Sequence, residues 1–209
     1  MRKKLVGLTL ATAIAMGGAG ESSVPYEELK PRETPIEAAT AAFGKAQAYW
    51  APKIGNTATR LLIVKENEDM LCDYGYKVYA RGEDETAFYC PNPDAIMITE
   101  KFLNAGEEAF PGQGDDSARF TVLHEFGHAV ANHQREIPFS EYNLDYMEDP
   151  VSKELEATLY AGQAAQHILP TFEVAGIQQF IGINPDQEDW AHGPRSAHYD
   201  AFTHGLTNN

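Results

Sequence analysis

The ten residues TVLHEFGHAV, from 121 to 130, constrain the fold of this chain more than any other stretch. They carry two histidines four positions apart, His124 and His128, in an otherwise apolar segment. Residues four apart lie on one face of an α-helix, so both imidazoles can reach a single metal ion. Such polar groups are costly to bury without partners, and metal ligation removes that cost. The stretch therefore predicts a buried, metal-binding helix; the alternative is a hydrogen-bonded histidine pair in a structural helix.

Glu125 directly follows the first histidine. It is rotated by about 100° from His124 around the helix, which places it beside the metal and not on it. A carboxylate there can take a proton from a metal-bound water, and Zn²⁺ lowers the pKa of such a water to about 7. The pattern is typical of peptide hydrolysis with one zinc ion and Glu125 as the general base.

A zinc site of this kind needs a third protein ligand. The extended pattern HExxHxxGxxH of one zinc protease family is excluded, because Ala131 and Gln134 stand where that family has glycine and histidine. His133 lies about 900° from His124 around the helix, on the opposite face. The third ligand must therefore come from another segment.

Glu154 is the best candidate for that ligand, in the helical pattern KELEATLYAG at 153–162. It shares a helix face with small residues such as Ala157, which allow a neighbouring helix to approach closely. Glu156 lies about 200° away and is better explained as solvent-facing. The alternative is that Glu154 only caps the helix or lies on its surface, since Ser152 can start the helix and acids favour its first turn.

The order of the predicted elements indicates the fold class. Short β-prone runs separated by Asp, Gly, Pro and Asn come first: LLIVKE (61–66), YKVYA (76–80), TAFYC (86–90) and AIMITE (95–100). Helical patterns follow, over 101–109, 117–133, 152–168, 172–181 and 194–206. A small twisted sheet followed by a mainly helical part that carries the HExxH helix predicts an α+β domain.

The first twenty residues, MRKKLVGLTLATAIAMGGAG, have the basic start, short apolar stretch and small residues of a secretory signal. We expect cleavage near Gly20, with Ala15 to Gly17 as a second possible site. An uncleaved membrane anchor is the alternative. The sequence therefore predicts a secreted or periplasmic protein.

The rest of the chain is expected to divide into a flexible lead-in at 21–33 and one domain at 34–209. The domain begins with Thr34-Pro35-Ile36-Glu37, which has the form of a capping box with proline at the first helical position.

Cys72 and Cys90 are the two cysteines of the chain. In an exported protein an even number without metal-ligand spacing favours a disulfide. Closing this loop would contribute about 3 kcal/mol of stability. The alternative is two free thiols in a reducing cytosol, which applies if residues 1–20 are not a secretory signal.

The formal net charge is −15, and removal of the three basic residues before Gly20 would bring it to −18. A surface this acidic repels nucleic acid and anionic membranes, so neither is expected as a partner. A stable membrane partner is expected only if the N-terminal segment stays uncleaved.

The chain resembles the neutral zinc metallopeptidase family of bacteria in four blocks that follow the family's order. FYCPNPDAIMITEKFL (88–103) resembles the family's FYCP block, and VLHEFGHAVANHQ (122–134) resembles its active helix. ELEATLYAG (154–162) resembles its ELQADCxAG block, and HGPRSAHYDAFTHG (192–205) resembles its closing HGxxxxR segment. With a weaker likeness from about Tyr49 onward, the resemblance covers most of the mature chain.

The resemblance implies a zincin-like domain of the gluzincin type, with Glu154 as the third ligand and a protein or peptide as substrate. It also makes His192 a candidate to stabilise the oxyanion of the transition state, where losing one donor costs on the order of a hundredfold in rate. The alternative for His192 is a loop histidine that caps the last helix. The AIMITE run is our candidate for the strand that binds the substrate backbone.

Two positions depart from the family pattern. Thr158 stands where the family has an aspartate that orients a zinc-bound histidine, and His198 stands where the closing segment has its arginine. Both departures leave open an exported zinc-binding protein with impaired catalysis, and a metal-free structural domain is a further alternative.

Overall fold

The computed structural model describes residues 33–55, 58–73, 77–134, 150–182, 188–189 and 193–207. The expected signal segment at 1–20, nearly all of the lead-in and His192 lie outside these residues. Among the described helices, none combines the length and the apolar character that a membrane span requires.

The described elements confirm an α+β architecture. The helices are α1 (Pro35–Ile54), α2 (Glu100–Ala109), α3 (Gly114–Gln134), α4 (Pro150–Ile168), α5 (Thr171–Gly182) and α6 (Arg195–Thr207). The strands are β1 (Arg60–Val64), β2 (Asp69–Asp73), β3 (Lys77–Arg81), β4 (Ala87–Pro91), β5 (Asp94–Thr99), β6 (Glu188–Asp189) and β7 (Gly193–Pro194). One long helix, α1, precedes the strands, and the helix with the two histidines is α3.

The predicted capping box starts α1. The Thr34 side chain accepts a hydrogen bond from the Glu37 backbone N–H at 3.3 Å, and the Glu37 carboxylate accepts one from the Thr34 backbone N–H at 2.9 Å. The buried face of the helix is rich in alanine, and it packs against α3. The small side chains on this face allow the backbone of α1 to approach α3 closely.

The main sheet has three strands in the order β1-β5-β4, with β5 parallel to β1 and antiparallel to β4. The AIMITE run forms most of β5 and is hydrogen-bonded on both edges. A substrate strand therefore cannot add to it, and our expectation for this run was wrong. The apolar residues of the run are instead buried in the centre of the sheet.

A second pairing joins β2 and β3 in an antiparallel hairpin. Strand β2 was not predicted, because its sequence DMLCD is short and has an aspartate at each end. The predicted disulfide is present: Cys72 of β2 is bonded to Cys90 of β4, with their Cα atoms 5.7 Å apart. Both cysteines are buried in a small apolar cluster with Val64, Ala80 and Met97. The bond therefore links the hairpin to the main sheet.

The helices that carry the site approach each other closely. A Cβ atom on Gly127 of α3 would collide with the backbone of Ala157 in α4. A Cβ atom on Gly205 of α6 would likewise collide with the backbone of α4 at Leu159. Glycine at these positions lets α4 lie against both neighbours, so side chains on the facing surfaces of α3 and α4 meet directly.

Candidate metal centre

His124 and His128 lie on one face of α3, as their spacing predicts. They are 8% and 6% exposed, and their ring centroids are 4.8 Å apart with the rings nearly perpendicular. The neighbouring apolar residues Val122, Leu123 and Phe126 are buried as well. The two imidazoles therefore project from an apolar helix into the interface with α4.

Glu154 of α4 meets both imidazoles. Its Oε2 atom lies 2.9 Å from Nε2 of His124, and its Oε1 atom lies 3.4 Å from Nε2 of His128. Glu154 is 1% exposed. One ligand atom from each of the three residues lies within 4.8 Å of the others. The structure thus brings together, from two helices, the three side chains proposed from the sequence as metal ligands.

The charges of this group depend on one another. Burial raises the pKa of the Glu154 carboxyl, but the hydrogen bonds from His124 and His128 lower it more, so its pKa lies below the ordinary value. Burial lowers the pKa of His128, but the hydrogen bond and the charge of Glu154 outweigh burial and raise it. The carboxylate is therefore kept ionised, which is the form that binds a cation.

The donor set fits zinc. Two imidazole nitrogens and one carboxylate oxygen are ligand types that Zn²⁺ prefers, and three protein ligands are the number found in catalytic zinc sites. Donor atoms of a tetrahedral zinc site lie roughly 3.3 Å apart, since each is about 2.0–2.1 Å from the ion. The Glu154 oxygens are already at 2.9 Å and 3.4 Å from the two nitrogens. One donor atom from each of the three residues lies within 4.8 Å of the others, which brings the group near the spacing of such a site.

Glu125 lies beside this group and not within it. Its Oε2 atom accepts a hydrogen bond of 2.8 Å from the backbone N–H of Tyr89 in β4. The side chain is buried and lines the same cavity as His124 and Glu154. Strand β4 therefore fixes the position of this carboxylate next to the metal ligands.

Thr158 and His198, the two departures from the family pattern, contact each other. Thr158 Oγ1 lies 2.9 Å from Nδ1 of His124 and 2.7 Å from Nδ1 of His198. Thr158 and His198 are both buried. Their contact was not predicted, because it joins two helices and the spacing within either helix does not indicate it.

A cavity of about 350 Å³ opens over the group. The residues that line it are Glu85, Thr86, Ala87, Phe102, Phe120, Thr121, His124, Glu125, Glu154, Ile181, Arg195 and His198. Its size is typical of a small-molecule or side-chain pocket. Ala87 of β4, Ile181 of α5 and Arg195 of α6 are all in this lining, so both the sheet and the helices contribute to the cavity.

Arg195 is the cationic residue of the cavity lining. Its guanidinium lies 5.3 Å from the ring centroid of Phe110 and 4.9 Å from that of Phe180, and it donates a hydrogen bond of 3.3 Å to the Phe180 carbonyl. Burial lowers its pKa. Arg195 was not among the residues predicted to form the site.

The other histidines and acids considered as ligands lie elsewhere. His133 contacts Asp94 at 3.2 Å, on the other side of α3, as its helical angle predicts. Glu156 accepts a hydrogen bond of 3.4 Å from Tyr160 and is not part of the ligand group. For His192 the structure gives no position, so its proposed role stays a prediction.

Comparison of the chain with protein-family models, with curated proteins and with solved structures gives no match. The likeness to neutral zinc metallopeptidases therefore rests on the four sequence blocks and on the buried group formed by His124, His128 and Glu154.

Proposed function

We propose that this protein is a zinc-dependent peptidase that acts outside the cytoplasm. The observation that carries the proposal is the convergence of His124, His128 and Glu154, with Glu125 lining the same cavity as His124 and Glu154. A purely structural metal site would have no use for a carboxylate next to the metal ligands. Peptide hydrolysis needs both parts.

The two imidazoles and Glu154 would hold the ion, which when bound supplies a Lewis acid that lowers the pKa of a water ligand to about 7. Glu125 is then the group that takes a proton from the nucleophile and passes it to the leaving amine. Its hydrogen bond from the Tyr89 backbone N–H keeps the carboxylate in place for both transfers. His192 is proposed to stabilise the oxyanion.

A protein or peptide is the proposed substrate, and β4 is the strand that would bind its backbone. Strand β4 pairs only with β5 among the described strands. On its other edge the Tyr89 backbone N–H is taken by Glu125, so the candidate for substrate binding is the part of that edge before Tyr89. Ala87, two positions earlier on the same edge, lines the cavity. An extended peptide can add to such an edge by backbone hydrogen bonds. This edge replaces AIMITE as our candidate.

A location outside the cytoplasm is supported by the bond between Cys72 and Cys90. Disulfides of this structural kind form and persist in oxidising compartments. The secretory signal expected at residues 1–20 is consistent with this location.

A second function, an exported zinc-binding protein that does not cleave peptides, is favoured by one observation. His124 contacts the neutral hydroxyl of Thr158, where the family pattern has a carboxylate. A weaker acceptor would make the imidazole a less basic ligand.

The test compares wild type with Glu125→Gln on a mixed peptide library, together with the zinc content of each protein. We expect one zinc per chain in both, and cleavage reduced about 10²- to 10⁴-fold in the variant. Glu156→Gln is the matched control: Glu156 lies on α4 but outside the ligand group, so this variant should cleave like wild type. Equal cleavage by wild type and Glu125→Gln would refute the mechanism, and zinc without cleavage in wild type would favour the second function.

A further inference from the structure

The hydroxyl of Thr158 lies between two imidazoles. It is fully buried, and it contacts Nδ1 of His124 at 2.9 Å and Nδ1 of His198 at 2.7 Å. Within the described part of the chain, these two nitrogens are the hydrogen-bond partners of the hydroxyl. A hydroxyl group carries one hydrogen, so it can donate to one imidazole and must accept from the other.

Metal ligation decides which way this chain of hydrogen bonds runs. The nitrogen of His124 that faces Glu154 is Nε2, so Nε2 is the atom available to a metal ion. A neutral imidazole that ligates through Nε2 carries its hydrogen on Nδ1. With the metal bound, His124 would then donate from Nδ1 to Thr158, and the Thr158 hydroxyl would donate to His198. In that state Nδ1 of His198 would be unprotonated, with its hydrogen on Nε2.

We propose that His198 is a positioning residue for the metal ligand His124 and acts through Thr158. The inference rests on the proposed zinc site. In this chain the two residues together do what a single carboxylate does elsewhere for a ligating imidazole: they fix its tautomer and its ring orientation. His198 supplies the acceptor that keeps the buried Thr158 hydroxyl satisfied, and Thr158 supplies the acceptor for Nδ1–H of His124.

The packing of three helices supports this role. Thr158 lies on α4 between His124 of α3 and His198 of α6, and close backbone contacts at Gly127 and Gly205 hold α4 against both neighbours. The rings of His124 and His198 have their centroids 5.9 Å apart, which leaves room for one hydroxyl between them. The three side chains therefore form one buried unit that reaches the cavity lining at His198.

Zinc affinity, measured by competition with a chelator, tests the role. Thr158→Val keeps the shape but removes the hydroxyl, and we expect about a 10- to 100-fold weaker affinity. His198→Leu should weaken it by about tenfold, while His198→Asn should stay within about threefold of wild type, because the Asn Oδ1 atom replaces the acceptor Nδ1. The double variant Thr158→Val, His198→Leu should be no weaker than Thr158→Val alone, since the two residues act in series.

A measurement on the wild-type protein avoids any effect of the variants on folding. Imidazole ¹⁵N chemical shifts of the zinc-loaded protein should show His198 as the tautomer with hydrogen on Nε2. Hydrogen on Nδ1 of His198, or zinc affinity unchanged by Thr158→Val, would overturn the inference. Absence of zinc binding by wild type would instead refute the proposed function, so the two failures are distinguishable.

Discussion

The Oε2 atom of Glu154 lies 2.9 Å from Nε2 of His124, although thirty positions separate the two residues in the chain. This contact crosses the interface between α3 and α4, which are brought together where Gly127 lies against the backbone of Ala157. A carboxylate that is 1% exposed is stable there because two imidazoles satisfy both of its oxygens. The packing of the two helices and the chemistry of the site therefore depend on the same few residues.

Substitution of Glu154 should remove zinc binding without removing the fold. Glu154→Gln keeps the size of the side chain but not its charge, and we expect zinc affinity to fall by more than about 100-fold. Glu156→Gln on the same helix is the matched control, and its affinity should equal that of wild type. Isothermal titration with Zn²⁺ measures both. Similar losses in the two variants would show that Glu154 has no special role.

The sequence predicted the features that depend on local spacing. Helical periodicity predicted the face shared by His124 and His128 and the burial of Glu154, and the motif at 34–37 predicted the capping box of α1. The structure has each of these features. The unbroken apolar run in β5 also contained a signal that we did not use. Such a run is typical of a central strand buried on both faces, not of an edge that binds substrate.

Contacts between distant elements could not be predicted in this way. The hydrogen bond between Thr158 and His198 joins residues forty positions apart, and it depends on how α4 and α6 cross. Spacing within one helix carries no information about that crossing. The hairpin strand β2 was missed for a related reason, because its place is set by pairing with β3 and by the disulfide, not by its own pattern.

The metal-free protein should lose the contribution of His128 to stability as pH rises. The pKa of His128 is raised above 6.5 in the folded state, so its stabilisation is fully present below 6.5 and is lost as pH passes through the raised value. The pKa of Glu154 is lowered below 4.5, so its contribution is present above 4.5 and is lost only in stronger acid. The pair of His128 and Glu154 therefore stabilises the metal-free protein most between about pH 4.5 and pH 6.5.

Urea unfolding with a chelator present measures this effect. The difference in unfolding free energy between wild type and His128→Gln should be larger at about pH 5.5 than at about pH 8.5. A difference that stays constant or grows with pH would contradict the assignment of a raised pKa to His128.

Removal of the disulfide should destabilise the protein but leave its metal site intact. The bond closes a loop with a sequence separation of 18, for which loop closure contributes about 3 kcal/mol. The variant with both Cys72→Ser and Cys90→Ser should unfold at a lower urea concentration, with its free energy of unfolding reduced by about 3 kcal/mol. Its zinc affinity should match wild type, because the bond lies in a separate apolar cluster. A loss of zinc binding in the folded variant would disprove this separation.

Arg119 should be important for stability, because its guanidinium pairs with acids from three parts of the chain: the start of α3, the start of α5 and the residues before α1. Its guanidinium lies 3.0 Å from Asp115, 3.1 Å from Asp116, 2.9 Å from Glu33 and 3.5 Å from Glu173. Burial lowers its pKa, but these acids outweigh burial and raise it. Arg119→Met should cost about 1–3 kcal/mol, since it removes the charged partner of three half-buried carboxylates and of the buried Glu173, which keeps Lys45 at 3.9 Å. Arg119→Lys should cost less in the same urea titration, and equal losses would show that the charge is unimportant.

The position of zinc in crystals of the zinc-loaded protein tests the account most directly, and anomalous scattering at the zinc edge gives that position. We predict one peak per chain, about 2.0–2.2 Å from Nε2 of His124, from Nε2 of His128 and from an oxygen of Glu154, with Glu125 beside it and unbound. A zinc peak on other residues, or none at this group in crystals grown with excess zinc, would contradict it.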